Sequence, residues 1–254
     1  MQLTELSSRV IPATDYRRER WRNQLGWTRE ILRFGDADAW SLRLSIAEIE
    51  QDAAFSAFPG IDRELVLLHG NGMRLRFGDG ASVIGTGSSN SSGTGSSNSS
   101  SDSGNESDSG GSNDGSGAAR GGHDVGADGG TDAPGSSERS YDLLPPYQRV
   151  RFAGEKAVSA TLLDGPTQDF NLMWRRDVLQ AELLHRPLVG TMLFFADPGS
   201  AWAIHLLAGQ ASFGRDSGLP PLVAGDTAWL SASTRTRYVL DGGGELLAIR
   251  VSPV

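Results

Sequence analysis

"LLHGNGMRLRF", Leu67–Phe77, places two apolar-alternating runs around Gly70-Asn71-Gly72, and a second copy of its pattern decides the fold. Glycine and asparagine accept positive φ, so the stretch predicts a strand, a tight turn and a strand, in the manner of a hairpin. "LLAGQASF", Leu206–Phe213, repeats the order of two leucines, one residue, glycine and a polar-apolar strand. The second copy leads into "LPPLVAGDTAWL", where Gly225-Asp226 turns into a strand. The first leads, once a long insert is skipped, into "LPPYQRVRFAGEKAV", where Gly154-Glu155 holds the same place.

The neighbouring segments also read as strands. In "WSLRLSIAEI", Trp40, Leu42, Leu44 and Ile46 alternate with Ser41, Arg43, Ser45 and Ala47, a period of two. "DFNLMWRRDVLQAELL", "GTMLFFA", "AWAIHLLAGQASF", "TRYVL" and "ELLAIRVS" continue the theme, with "GGGE" at Gly242 read as a hairpin turn between the last two. Asp177–His185 alone retains part of a helical stripe. Many short strands joined by glycine-rich turns make the chain all-β. Strand, Gly-turn, strand, proline-bearing loop, Gly-acid turn, strand is the cupin order, and its double appearance predicts a cupin-like bicupin of two jelly-roll β-barrel lobes.

Residues 85–140 differ from everything around them. "GTGSSNSS" occurs twice in tandem, and serine, glycine and scattered acids dominate the rest. Such a composition cannot bury enough apolar surface to offset its ordering entropy, which predicts a long disordered low-complexity insert. The expected organisation is therefore 1–84 for the first-lobe strands, 85–140 for the insert, and 141–254 for the remainder with the second lobe. The insert carries eight acids against Arg120 and Arg139, so most of the net charge of −8 lies there. A nearly neutral body lacks the basic face of a nucleic-acid binder.

There is no cysteine, which excludes disulfides, thiolate nucleophiles and zinc–sulfur sites. The first twenty residues hold no apolar run suited to a signal peptide. "LVGTMLFFA" is too short to span a bilayer. A cytoplasmic location without membrane association is the expectation, and a homodimer is left open.

Several blocks carry a family resemblance. "WRNQLGWTREI", "RLSIAEI", "FSAFPGIDRELVLLHGNGM", "FAGE" and "LLDGPTQDFNLMWRR" resemble the HutD/Ves family, whose members show W-[KR]-N-G-G-G-x-T-R-E-I, R-x-S-I-A, a G-P-F-S-x-F-P-G-x-D-R block (Ala53 and Ala54 replace Gly-Pro here), and L-L-D-G-P with D-x-N-L-M. The match is good over residues 16–80 and 147–176 and looser elsewhere. The resemblance implies a bicupin associated with histidine utilisation, without a defined enzymatic activity. This chain has Gln24 and Leu25 where the family has consecutive glycines, which would reshape the approach of a ligand beside Asn23.

Metal-dependent cupins place two histidines two residues apart, then a glutamate, then a distant histidine. Here His69, His123, His185 and His205 are all far apart, so no metal and no other cofactor is expected. Neither a G-x-S-x-G nor a P-loop is present. What remains is a polar constellation in the first lobe: Trp21, Asn23, Thr28, Arg29, Glu30, Arg43, Ser45, Ser56, Phe58, Asp62 and Arg63. Alternation puts Arg29, Ile31 and Arg33 on one face of "REILR", with Thr28, Glu30 and Leu32 on the other. Arginine beside hydroxyls suits bidentate capture of a carboxylate. Trp21 would form an apolar wall of the barrel mouth, and Asn23 and Arg29 would donate. The competing reading is internal ion pairs, such as Arg29 with Asp62, that fix the barrel wall.

The function expected is that of a non-catalytic cupin-like protein binding a small anionic metabolite. Formylglutamate, glutamate and urocanate fit, in a role regulating or buffering an intermediate of histidine utilisation. The alternative is a metal-independent enzyme acting on a small acid, with Glu30 or Asp62 as general acid/base.

Overall fold

The computed structural model describes residues 3, 6–36, 39–78, 84–86 and 139–254, the three residues 84–86 as backbone alone. The disorder expected of 85–140 falls outside these residues, except at its ends, where strands reach into it from both sides. In chain order the first strands are β1 (Arg9–Ile11), β2 (Arg17–Arg20), β3 (Gly26–Gly35), β4 (Trp40–Ile49), β5 (Ala53–Ala54), β6 (Ile61–His69), β7 (Met73–Phe77) and β8 (Ile84–Thr86). There follow β9 (Arg139–Leu143), β10 (Arg149–Ala153), β11 (Val158–Leu162), β12 (Thr167–Arg175), β13 (Leu179–Ala196), β14 (Ala201–Phe213), β15 (Leu222–Val223), β16 (Thr227–Ser231) and β17 (Thr236–Pro253).

The all-β expectation holds. Helix among the described residues is confined to 3-10 conformation at Leu3, Ala13–Asp15 and Arg215–Ser217. The residual helical stripe at Asp177–His185 is instead a turn followed by the start of β13.

The first lobe is a seven-stranded sheet in the order β2-β3-β4-β12-β6-β10-β8 and a four-stranded sheet in the order β5-β11-β7-β9. Between them lies an apolar core with Ile49, Leu65, Leu67, Met73, Leu75, Phe77, Val150 and Phe152. The second lobe is one six-stranded sheet, β1-β16-β14-β17-β13 with β15 beside β14. Its own core includes Ile204, Leu206, Phe213, Leu222, Leu230, Leu240 and Leu246. A third cluster joins the lobes: Leu42, Leu44, Phe170, Leu172 and Trp174 from the first meet Ala203, Trp229, Leu247 and Ile249 from the second.

Two expected hairpins do not form: one is a corner between sheets and the other an unbroken strand. β6 pairs with β12 and β10, while β7 pairs with β11 and β9, so Gly70-Asn71-Gly72 carries the chain from one sheet to the other. A Cβ at Gly70 would lie 2.6 Å from Pro166 O, so the corner also needs glycine for closeness. Gly242–Gly244 lies within the single strand β17, which pairs without interruption with β13. Alternation along the chain cannot distinguish a strand that turns back from one that bends into a second sheet.

Candidate functional site

β4 and β12 are central strands, and both of their faces are covered, one by the second lobe and one by the facing sheet of the first. Their even-numbered residues, Leu42, Leu44, Ile46, Phe170, Leu172 and Trp174, enter the seam between lobes. Their odd-numbered residues face the interior of the first barrel. There the cross-strand rows run Glu30–Ser45–Asn171–Leu65 and Arg33–Arg43–Met173–Arg63–Phe152. Next to them lies Thr28–Ala47–Asp169–Leu67. Half of this interior is oily, and half is built of charged and amide groups.

Arg63 is the centre of the polar half. It is 6% exposed, and its Nε has no hydrogen-bond partner among the described residues. Its guanidinium carbon lies 5.2 Å from the ring centroids of Phe55 and Phe152 and 5.8 Å from that of Phe58. Burial lowers its pKa to about 10, Asp169 opposes that shift and Arg43 adds to it. No carboxylate comes within ion-pairing distance of it among the described residues.

Three further orphans line the same interior on β12: Thr167 Oγ1, Asp169 Oδ1 and Asn171 Oδ1 are all buried without a partner. Burial raises the Asp169 carboxyl to about 7, against the field of Arg63. Buried polar atoms ordinarily find partners, because an unmade bond costs about 1–3 kcal/mol. Four orphans sharing one barrel interior are therefore a feature of this surface, not scatter.

The sequence-predicted residues divide between two faces. Glu30, Arg43, Ser45, Thr28 and Arg63 lie on the interior face. Arg43 Nε donates to Glu30 at 2.8 Å, and Arg33 Nε is 3.6 Å from the same carboxylate. Arg29 is on the opposite face. A register shift between Glu30 and Leu32 marks a bulge at Ile31, which puts Arg33, not Arg29, with Arg43. Arg29 instead lies 2.8 Å from Glu48 in the seam, although its Nε–H is not aimed at that oxygen. Asp62 also faces away from the interior, held at 2.8 Å by both Arg151 and Arg176. With Trp174, these three border a surface cavity of about 280 Å³, whose arginines are thus already paired.

Trp21 packs against the first-lobe core, and its indole N–H donates to Thr28 Oγ1 at 2.8 Å. The Oδ1 of Asn23 accepts from the Leu25 N–H at 3.1 Å, so that side chain shapes its own turn. Gln24 has φ of 60°, a left-handed conformation glycine would adopt freely. Ser56 is exposed on the loop before β6, and Phe58 packs edge-on to Trp40 at 6.0 Å. The sequence reading missed Thr167, Asp169 and Asn171. In "TQDFNLMW" they alternate with the apolar seam residues and so look like a solvated face, until the second sheet of the lobe proves to cover it.

The cupin metal arrangement does not fit this chain. His205 is buried in the seam against Thr227 and Phe170, His185 pairs with Glu245, and His69 is exposed. Among the described residues no three of His, Cys, Asp and Glu are grouped so as to hold a metal ion. No helix among them is long and apolar enough to cross a membrane.

Comparisons with known proteins agree with this architecture. An uncharacterized 21.2 kDa protein in the hutC 3' region of Pseudomonas putida is 28% identical over 176 residues, 68% of this chain. The chain spans 62% of that relative's length. HutD from Pseudomonas fluorescens SBW25, solved in a formate condition, superposes with a TM-score of 0.64 at 22% identity, covering 98% of this chain and 100% of that one. The Lactobacillus farciminis oxalate decarboxylase formate complex superposes at 0.55 with 10% identity, over 98% and 87% of the two chains. The fold is a cupin-like bicupin. The family model for HutD matches residues 13–91 and 134–248, and the chain belongs to the HutD family.

Proposed function

We propose that this chain is a non-catalytic receptor that binds a small carboxylate inside the first-lobe barrel and thereby regulates or buffers an intermediate of histidine utilisation. One observation carries the reading: Arg63 is buried among three aromatic rings with an unpartnered Nε and no ion-paired carboxylate. A buried cation with no partner costs several kcal/mol, and an anionic ligand would offset that cost. The planar guanidinium suits a carboxylate in two-point contact. Among the described residues of the second lobe the buried polar groups are Ser200, His205, Asp226, Thr227 and Ser231, with no arginine among them. Association with histidine utilisation follows the family, and a relative encoded beside hutC supports it. Glu30 and Asp62 are each engaged by two arginines, and Asp62 points away from the interior, which favours binding over acid–base chemistry.

Thermal melts with and without formylglutamate, glutamate and urocanate test this. A ligand at about a hundred times its Kd stabilises the fold by roughly 2.7 kcal/mol. Arg63→Met should leave the ligand-free midpoint unchanged or higher, because an apolar side chain replaces an unpaired buried charge. The same variant should lose the ligand shift. A variant that melts early, together with a wild type indifferent to every acid, would assign Arg63 a structural role instead.

A further inference from the structure

β13 ends the second-lobe sheet, and among the described residues no strand pairs with its other side. It is 18 residues long, and between Pro187 and Ala196 it carries no charged side chain. β2, which ends the first-lobe sheet, reads Arg17-Arg18-Glu19-Arg20, the kind of charged protection that open edges ordinarily carry. The outer face of β13 instead shows Val189, Leu193 and Phe195, and Val189 at 88% is the most exposed large apolar side chain among the described residues. Two observations fix where the backbone groups of this edge point. Pro187 has no N–H, yet the ladder with β17 runs through it without a register shift, which sets its nitrogen towards the open side. The carbonyl of Phe195 accepts from Trp202 Nε1 at 2.9 Å, so it too is turned away from β17. Both residues are odd-numbered and they flank Gly190, so the N–H and C=O groups of Val189, Thr191 and Leu193 face the same open edge.

We propose that this edge binds the same edge of a second copy of the chain, antiparallel about a two-fold axis at Thr191. In that register Thr191 opposes its own counterpart, Val189 opposes Leu193, and Pro187 opposes Phe195. The N–H groups of Val189, Thr191, Leu193 and Phe195 then donate to the carbonyls of Leu193, Thr191, Val189 and Pro187 of the second copy. One carbonyl, that of Phe195, faces the proline and receives no N–H, and it is the one that Trp202 already satisfies. The side chains match as well, since Val189 meets Leu193 on each side of the axis, an apolar cross-strand pair made twice. One step beyond the strand, Asp197, which its own chain holds only at 3.5 Å through Arg235, comes opposite His185 and beside Arg186 of the second copy. Acid therefore meets base at both ends of the contact. An isologous pairing of this kind closes at two copies and leaves no β13 edge open.

Sedimentation velocity of the full chain at micromolar concentration reads the assembly, and wild type should run as a dimer. Val189→Lys with Leu193→Lys sets lysine against lysine across the axis, and Val189→Glu with Leu193→Glu sets glutamate against glutamate. Each double variant should run as a monomer with the wild-type melting midpoint, because both positions are exposed. An equimolar mixture of the two should recover the dimer, since every lysine then opposes a glutamate. Val223→Lys is the control: it shares a cross-strand row and an outer face with Val189 but lies on β15, away from the edge, and should stay dimeric. If Leu193→Lys lowers the melting midpoint, Val189→Lys alone applies the test and should be monomeric. A monomeric wild type would overturn the proposal, as would a dimer that survives the lysine and glutamate variants or a mixture that stays monomeric. A dimer lost in Val223→Lys would put the contact on the sheet face and overturn the edge pairing equally.

Discussion

Glu30 lies between Arg33 and Arg43, which face each other across the β3–β4 ladder, and accepts from Arg43 Nε at 2.8 Å. Both arginines are about one-fifth exposed and Glu30 less, so the triad is only partly screened by water. Glu30→Gln would leave two guanidinium groups directly opposed, an unfavourable cross-strand pair. The loss should be about 1.5–3 kcal/mol, as for hydrogen bonds to charged groups, and should shrink as salt is added. Urea melts at low and high ionic strength would show it. A midpoint equal to wild type at both would mean that the triad contributes nothing.

That triad also shows how far the sequence could be read. The strands, the two-lobe order and the shared face of Arg43 and Ser45 follow from period two and the repeated glycine-turn pattern. The partnership of Arg33 with Arg43 does not, because a one-residue bulge at Ile31 exchanges the faces of everything after it. The corner at Gly70–Gly72 and the unbroken strand through Gly242–Gly244 were equally hidden, since glycine-rich segments serve turns, corners and continuous strands alike. The buried polar row of β12 was hidden for a third reason. Whether Asp169 and Asn171 face water depends on whether a second sheet packs over that face, and contacts distant in sequence decide that.

Gly209 and Gly244 are register partners on β14 and β17, next to a register shift between Leu206 and Ala208, and each needs to be glycine. A Cβ on Gly244, at φ of 137°, would lie 1.9 Å from the carbonyl oxygen of Ala208. Gly244→Ala should cost more than about 4 kcal/mol, the range of severe backbone and overpacking lesions. Gly218→Ala is the control: φ is 66° but nothing lies within 4 Å of its added methyl. It should cost only the local strain of about 1–3 kcal/mol. Soluble yield and circular dichroism melts separate the two, and similar behaviour of both variants would contradict the close approach.

The insert boundaries can be tested by deletion. β8 pairs with β10 and β9 with β7, so residues 84–86 and 139–143 belong to the sheets. Removing 88–135 and bridging with a short Gly/Ser linker should leave the melting midpoint nearly unchanged, since loop closure changes by about 0.6 kcal/mol per doubling of length. Removing 85–140 takes Gly85, Thr86, Arg139 and Ser140 from their ladders and should lower the midpoint by several degrees. A shorter deletion that melts as early as the longer one would show that 88–135 contributes to stability.

Two buried groups should oppose each other as pH changes. Burial raises the Asp169 carboxyl to about 7 from an ordinary value of 3.8. Between those values the folded chain binds more protons than the unfolded one, so this group's contribution falls as pH rises. His205 behaves in reverse: burial, helped by Arg29, lowers it from 6.5 to about 3. Over that window the unfolded chain binds more protons, so stability rises with pH. Glu64, also raised by burial, adds to the Asp169 trend. Wild type should therefore show a shallow profile between about pH 4 and 6.5, with a decline continuing towards 7. Asp169→Asn removes the larger falling limb, so its stability should climb with pH up to about 6.5 and then level. His205→Gln keeps the falling limb and should decline over the same range. Urea midpoints at half-unit intervals would distinguish the three curves. If Asp169→Asn parallels wild type throughout, the carboxyl does not titrate near neutrality, and the barrel interior is more solvated than its burial implies.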